Sequence, residues 1–237
     1  MSHYHYLPLT PGFFSILVVV FLVVLVLVQL DLLRIAYIKL GVSPGLALLL
    51  LAASLIGSYF NIPVAQIPGH RIVTGEVVDF FGMQYQVPVL MQRPGTMIAV
   101  NIGGALIPTL MSLYLLARYE LWLKGAIAVA IVATVMHALA TPVPGLGIAV
   151  PVFWPVIVTT IVAVVLARDR AAPLAYIAGS MGTLIGADLL NLGNIGQLGA
   201  PIASIGGAGT FDGIFLTGIA AVLLAGFFGP RPRPGMA

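Results

Sequence analysis

The chain has 237 residues, of which 60% are hydrophobic and 7% charged, against about 25% charged in a soluble globular protein. Ten basic and seven acidic residues cannot coat a globule of this size, so a soluble domain is excluded. The absence of Cys excludes disulfides, thiolate catalysis and Cys-held metals, and the net charge of +3 sits beside apolar runs, giving no reason to expect a nucleic-acid partner.

A bilayer core about 30 Å thick needs roughly 20 apolar residues per helix. Seven stretches meet that requirement, at about 13–30, 44–60, 95–117, 121–140, 150–167, 172–190 and 208–228. The expected fold is an all-α polytopic membrane protein, one membrane domain over 1–237, with the lipid bilayer as its obligatory partner. The first span, almost pure Val, Leu, Ile and Phe, reads as a lipid-facing anchor. Met1 to Gly12 carries no Lys or Arg, so this span is expected to stay rather than act as a cleaved signal peptide.

Arg34 and Lys39 follow it and orient it, because cytoplasmic flanks hold the excess of basic residues. Alternating sides from there puts Arg34, Lys39, Arg118, Lys124, Arg168, Arg170, Arg231 and Arg233 on one side and Arg71 and Arg93 on the other. The expected topology is therefore N-out, C-in, in a cell (plasma) membrane. Trp122 and Trp154 fall near span ends, as aromatic belts require. Between the second and third spans, 62–94 holds two runs rich in Val, Ile, Phe and Tyr, Arg71 to Phe80 and Met83 to Leu90, which meet at Phe81-Gly82. They predict a small extracytoplasmic β-hairpin that carries Glu76 and Asp79, either as solvated loop charges or as part of a lid.

An ionisable side chain inside a span costs at least about 2.5–3.5 kcal/mol on insertion scales, so each needs a partner, a cavity or a function. His137, Asp188 and Asp212 qualify. Each lies sixteen residues from the inner end of its span, about 24 Å at 1.5 Å per residue, so the three share one depth in the outer leaflet. Asn61, Asn101, Asn191 and Asn194 gather at the same level and predict a polar, substrate-binding pocket opening outward. Each is also the kind of residue that caps helices and turns.

On the third span Asn101, Gly104 and Pro108 share a face, and Pro108 frees the Gly104 carbonyl from its helical bond. Asn191 to Gly207 is uncharged and Gly-rich, a segment that could dip back into the membrane before Asp212 in the first turn of the last helix. Gly182 and Gly186, at GxxxG spacing, predict close helix packing. Their stripe points away from Asp188, so both face the seventh helix only if the chain breaks nearby.

The stretches Gly57-Ser-Tyr-Phe-Asn-Ile-Pro-Val64, Ala99-Val-Asn-Ile-Gly-Gly-Ala-Leu-Ile-Pro108, His137-Ala-Leu-Ala-Thr-Pro-Val-Pro-Gly-Leu-Gly147, Gly182-Thr-Leu-Ile-Gly-Ala-Asp-Leu-Leu-Asn-Leu192 and Ser204-Ile-Gly-Gly-Ala-Gly-Thr-Phe-Asp-Gly213 resemble a family of bacterial and archaeal integral membrane proteins classed as a domain of unknown function. The chain is also similar, by geometry alone, to intramembrane aspartyl proteases of the presenilin and signal-peptide-peptidase type, which place one Asp on each of two adjacent antiparallel helices. It departs from them at Ala187, where they have Tyr, and at Gly209-Thr-Phe-Asp212, where they have Gly-x-Gly-Asp; no Pro-Ala-Leu follows, and seven spans stand in place of nine.

Three functions fit these residues. The first is a membrane-embedded hydrolase, an aspartyl-type intramembrane peptidase in which Asp188 and Asp212 share a proton and activate water. A metal-dependent variant would use His137, Asp188 and Asp212 as ligands to a divalent ion such as Zn. The second is an ion- or proton-coupled transporter or channel. The third is a structural or accessory membrane subunit.

Overall fold

In the computed structural model, the structure describes residues 19, 26, 30–69, 71–80, 83–92, 95–143, 147–151, 153–197, 200–207 and 213–228. The first expected span lies outside these residues apart from 19, 26 and 30, and Asp212 lies outside them too. A helix over 30–39 (α1) is followed by α2 (Pro44–Gly57), β1 (Asn61–Ile67), β2 (Arg71–Phe80), β3 (Met83–Gln92) and β4 (Thr96–Asn101). A π-helical turn, Ile102–Leu106, opens α3 (Ile107–Tyr119), and α4 (Trp122–Leu139), β5 (Thr141–Val143), β6 (Gly147–Ala149) and α5 (Phe153–Leu166) follow. Last come α6 (Ala171–Thr183), a second π-helical segment Leu184–Asp188, a 3-10 helix Leu189–Gln197, β7 (Ile202–Ile205) and α7 (Gly213–Phe228).

Most of the described residues are helical. Among them, three helices are long and apolar enough to cross a membrane: Ile102–Tyr119, Trp122–Leu139 and Arg168–Ile195; Phe153–Leu166 and Thr217–Gly226 are apolar but shorter. These helices mark a membrane protein. α6 is the centre of the bundle. It packs on α3, α4, α5 and α7 and is buried on nearly every side, Pro173 to Ser180 without interruption, as an all-round apolar helix must be.

Two glycine contacts set its neighbours. A Cβ on Gly179 would lie 3.1 Å from the Gly218 Cα of α7. On the other side, Gly182 and Gly186 press against α4 at Val132, Ala133 and Met136, and a Cβ on Gly186 would overlap the Ala133 carbonyl. The GxxxG stripe thus faces α4, and the helix changes to π geometry within it, at Leu184. Gly186→Val should loosen this contact and cost about 1–3 kcal/mol of stability, the usual price of overpacking, read as a lower thermal midpoint in detergent.

The third expected span requires correction at its start. Residues 96–101 form β4, and helix begins only at Ile102. Thr96, Ile98 and Val100 are β-branched, and Ile98 and Val100 pair on both sides. β1 runs antiparallel to β4 from Asn61↔Asn101 to Ile67↔Thr96, and β7 runs parallel to it from Met97↔Ile202 to Val100↔Ile205. The helix then starts wide because Pro108 has no N–H with which to close an α turn, and the Ile107 N–H reaches back five residues to the Ile102 carbonyl. The second expected span is also shorter than 44–60, ending at Gly57 so that the chain can enter β1.

The bundle is therefore not all-α. The segment expected to dip into the membrane continues α6 as 3-10 helix and then becomes β7, the third strand of the sheet ordered β1-β4-β7. β2 and β3 pair separately and antiparallel from Arg71↔Gln92 to Phe80↔Met83, and β5 pairs with β6. At the opposite end of the bundle the Tyr119 hydroxyl donates to the Leu40 carbonyl (3.0 Å), and the Arg118 and Arg170 guanidinium groups lie over the Tyr119 ring.

Candidate functional site

Asn101 ends β4 and begins the first π turn. Its Oδ1 accepts the Gly104 N–H (2.8 Å), and its Nδ2 donates to the Ser58 carbonyl (2.8 Å) and to Asn61 Oδ1 (3.1 Å). One side chain, 1% exposed, thereby ties the end of α2, the start of β1 and the mouth of α3 together. Asn61 Oδ1 also lies 2.6 Å from Ser204 Oγ on β7. The single Ser204 proton is equally within reach of the Gly207 carbonyl at 2.7 Å, so it serves one acceptor at a time.

After Ser204 the chain turns at Gly206 and Gly207, with φ of +89° and +77°, a left-handed conformation that favours glycine. The Gly206 N–H donates to Asp188 Oδ2 at 2.7 Å. A Cβ on Gly104 would overlap the Gly206 carbonyl, and a Cβ on Gly206 would lie 2.6 Å from the Ala105 nitrogen. Both π segments therefore meet at this one glycine turn, the first by backbone contact and the second through the Asp188 carboxylate. Beneath it Ala105, Leu184 and Ile214 are buried together, with Val100 and Ile205 packed on them.

The structure thus brings together Asn61, Asn101 and Asp188, with Ser204 and Gly206 as the links between them. Asp188 is half-buried and Asn61 exposed. Asn191 and Asn194 form a second group. Asn191 Nδ2 donates to the Gly186 and Ala187 carbonyls (3.1 and 3.0 Å), and Asn194 Nδ2 donates to Asn191 Oδ1 (3.3 Å). Asn191 therefore ties its side chain to the backbone of the π segment, a capping role. His137 lies in the last turn of α4 and is exposed. Among the described residues no group of three or more His, Asp or Glu side chains is placed to hold a metal.

The family described as "Protein of unknown function (DUF1614)" matches residues 55–224. The chain belongs to the DUF1614 family. The DUF1614 match runs from the end of α2 into α7, so it encloses all seven of the polar residues named from the sequence. No curated protein and no solved structure matches the chain, and nothing in these comparisons supports the likeness to intramembrane aspartyl proteases.

Ser58, Ser204 and Gly206 were absent from the sequence-based site. A faint signal for them exists: Gly-Gly after a Ser is a turn pattern, and Ser204 lies in one of the stretches that carry the family resemblance. What no local pattern contains is the partner of that turn, because the Asp188 to Gly206 contact closes a loop through β7.

Proposed function

We propose that this DUF1614 protein is a membrane-embedded hydrolase, an aspartyl-type intramembrane peptidase acting in the outer leaflet of the cell membrane. Its seven spans run N-out, C-in, the paired strands β2 and β3 lie outside the membrane, and the Tyr119 end of the bundle, with Arg118 and Arg170, faces the cytoplasm. One observation carries the reading. Asp188 is held half-buried on a π segment, a helix irregularity frequent at functional sites, and Leu184 of that segment packs with Ile214, two residues after Asp212. The π segment that bears Asp188 and the start of α7, one residue after Asp212 in the sequence, thus pack together beside the sheet.

In this reading one carboxylate takes a proton from water as the water oxygen attacks the scissile carbonyl. The other carboxyl gives its proton to the carbonyl oxygen, and collapse of the tetrahedral intermediate sends a proton to the leaving amine. Exposed Asn61 is placed to meet substrate. Buried Asn101 and Asn191 act by holding the backbone around the site, with Asn194 supporting Asn191. His137 has no part in the aspartyl mechanism; in the metal-dependent variant it would join Asp188 and Asp212 around a divalent ion.

The test is cleavage of single-span model peptides co-reconstituted with the purified protein, with products identified by mass spectrometry. Asp188→Asn and Asp212→Asn should each abolish cleavage, whereas His137→Ala should keep at least about a third of it, a small change on the scale of acid–base catalysis. Loss in His137→Ala together with loss of bound metal would replace the aspartyl mechanism by the metal one. Cleavage surviving in either Asp variant would end the aspartyl mechanism.

A further inference from the structure

Hydroxyls on helices ordinarily donate to a carbonyl one turn back. Thr134 does so to Ala130 (2.8 Å), Thr160 to Val156 (2.7 Å) and Ser58 to Leu55 (2.7 Å). Deeper in the bundle the pattern stops. The hydroxyls of Tyr37, Ser54, Thr159, Ser180 and Thr183 are buried without a hydrogen-bond partner, and each residue is less than 5% exposed.

Three of these groups, Tyr37, Ser54 and Ser180, gather around Tyr176. The Tyr37 hydroxyl lies beside those of Ser54 and Tyr176, and Tyr176 lies beside Ser180, with the two tyrosine rings 6.4 Å apart. On α6, Tyr176, Ser180 and Thr183 stand at i, i+4 and i+7, one face of the helix. Asp188 follows five residues after Thr183, about 7.5 Å along the axis. In an α-helix that spacing would turn it well away from the face. The second π segment closes its turn over i to i+5 and brings Asp188 back toward it. From Tyr176 to Asp188 the file spans about 18 Å, a large part of a bilayer core.

Polar groups that approach one another without bonding directly are the setting in which ordered water bridges. We propose that water joins these hydroxyls into a continuous file, and that the file conducts protons between Tyr37 and Asp188. Each oxygen accepts a proton from one neighbour while passing its own to the next, so only O–H bonds are made and broken. The proton ends on the Asp188 carboxylate or leaves from it. This is an activity beyond hydrolysis and does not depend on it.

The test uses the full chain in proteoliposomes loaded with a pH-sensitive dye, with a potassium diffusion potential set by valinomycin. Proton flux should exceed that of protein-free vesicles severalfold. Thr183→Val and Ser180→Ala should each cut it at least about fivefold, Thr183→Ser should restore it, and Thr134→Val, which removes an exposed hydroxyl bonded to its own helix, should leave it unchanged. X-ray hydroxyl-radical footprinting of the same samples supplies a readout independent of flux. Tyr37 and Tyr176 should be oxidised in spite of their burial, because bound water generates the radical beside them. Flux no greater than in empty vesicles, flux unchanged in Thr183→Val, or protection of both tyrosines would each overturn the proposal. A variant whose thermal midpoint collapses is replaced in the comparison by Tyr176→Phe, which removes one hydroxyl and keeps the ring.

Discussion

Asp188→Asn should reduce peptide cleavage by a factor on the order of 10²–10⁴ or more, the range acid–base catalysis supplies, and leave the fold intact. The reason lies in the Gly206 bond. The Gly206 N–H needs an acceptor, since Gly206 is buried, and it finds Asp188 Oδ2 at 2.7 Å. An asparagine presents a carbonyl oxygen in the same place, so the bond persists and weakens by only about 1 kcal/mol, the difference between a charged and a neutral acceptor. What disappears is the capacity to take up and release a proton.

Asp188→Ala separates the two roles from the other direction. It removes the acceptor as well, strands a buried N–H at about 1–3 kcal/mol and frees the glycine turn from the second π segment. The expected pattern is inactivity in both variants, with a thermal midpoint close to the parent for Asn and clearly lower for Ala. An active Asp188→Asn protein would make Asp188 a tether for the turn and nothing more.

The ends of the long apolar helices were legible in the sequence because they depend only on residue count and rise. The ends of α4 fall within a residue of the expected 121–140 for this reason, and α5 fills most of 150–167. Direction around the helix axis was not legible. His137 and Asp188 sit at equal distances along their helices, yet His137 ends on an exposed face while Asp188 turns to the Gly206 turn. Position along the helix could not distinguish these outcomes, because α4 is so evenly apolar that no polar stripe marks which side is covered. The π segment then shifts Asp188 by an angle that a regular helical projection omits.

The sheet was hidden for a different reason. Thr96 to Val100 is a short apolar run, and such a run reads equally well as the end of a helix or as a buried strand. The choice is made by β7, whose Ile202 pairs with Met97 across more than a hundred residues of intervening chain. A parallel pairing at that separation leaves no local trace, whereas β2 and β3 are joined by two residues and announce themselves by their Val, Ile, Phe and Tyr content. The asparagines follow the same division. Their type and level could be read, but that Asn101 gives both amide groups to backbone and to Asn61 depends on α2, β4 and α3 already being in place.

The second large effect is expected at that residue. Asn101→Leu keeps a similar volume and should destabilise the protein by about 2–6 kcal/mol, because the Ser58 carbonyl and the Gly104 N–H both lose their partner in a buried setting, at about 1–3 kcal/mol each. Neither can turn to water without opening the contact between the first π turn and the Gly206 carbonyl, where not even a Cβ fits on Gly104. Asn101→Asp should be no rescue. It keeps the acceptor for Gly104, as a helix N-cap does, but sets a carboxylate oxygen against the Ser58 carbonyl and Asn61 Oδ1, acceptors that both require a donor. Asn194→Ala is the control: its one bond, 3.3 Å to Asn191 Oδ1, lies at a half-buried position, and its loss should cost about 0.5–1.5 kcal/mol at most. Thermal unfolding in detergent, followed by circular dichroism, ranks the three. Asn101→Leu as stable as Asn194→Ala would mean that the α2, β1 and α3 junction is held by its apolar packing and not by the amide.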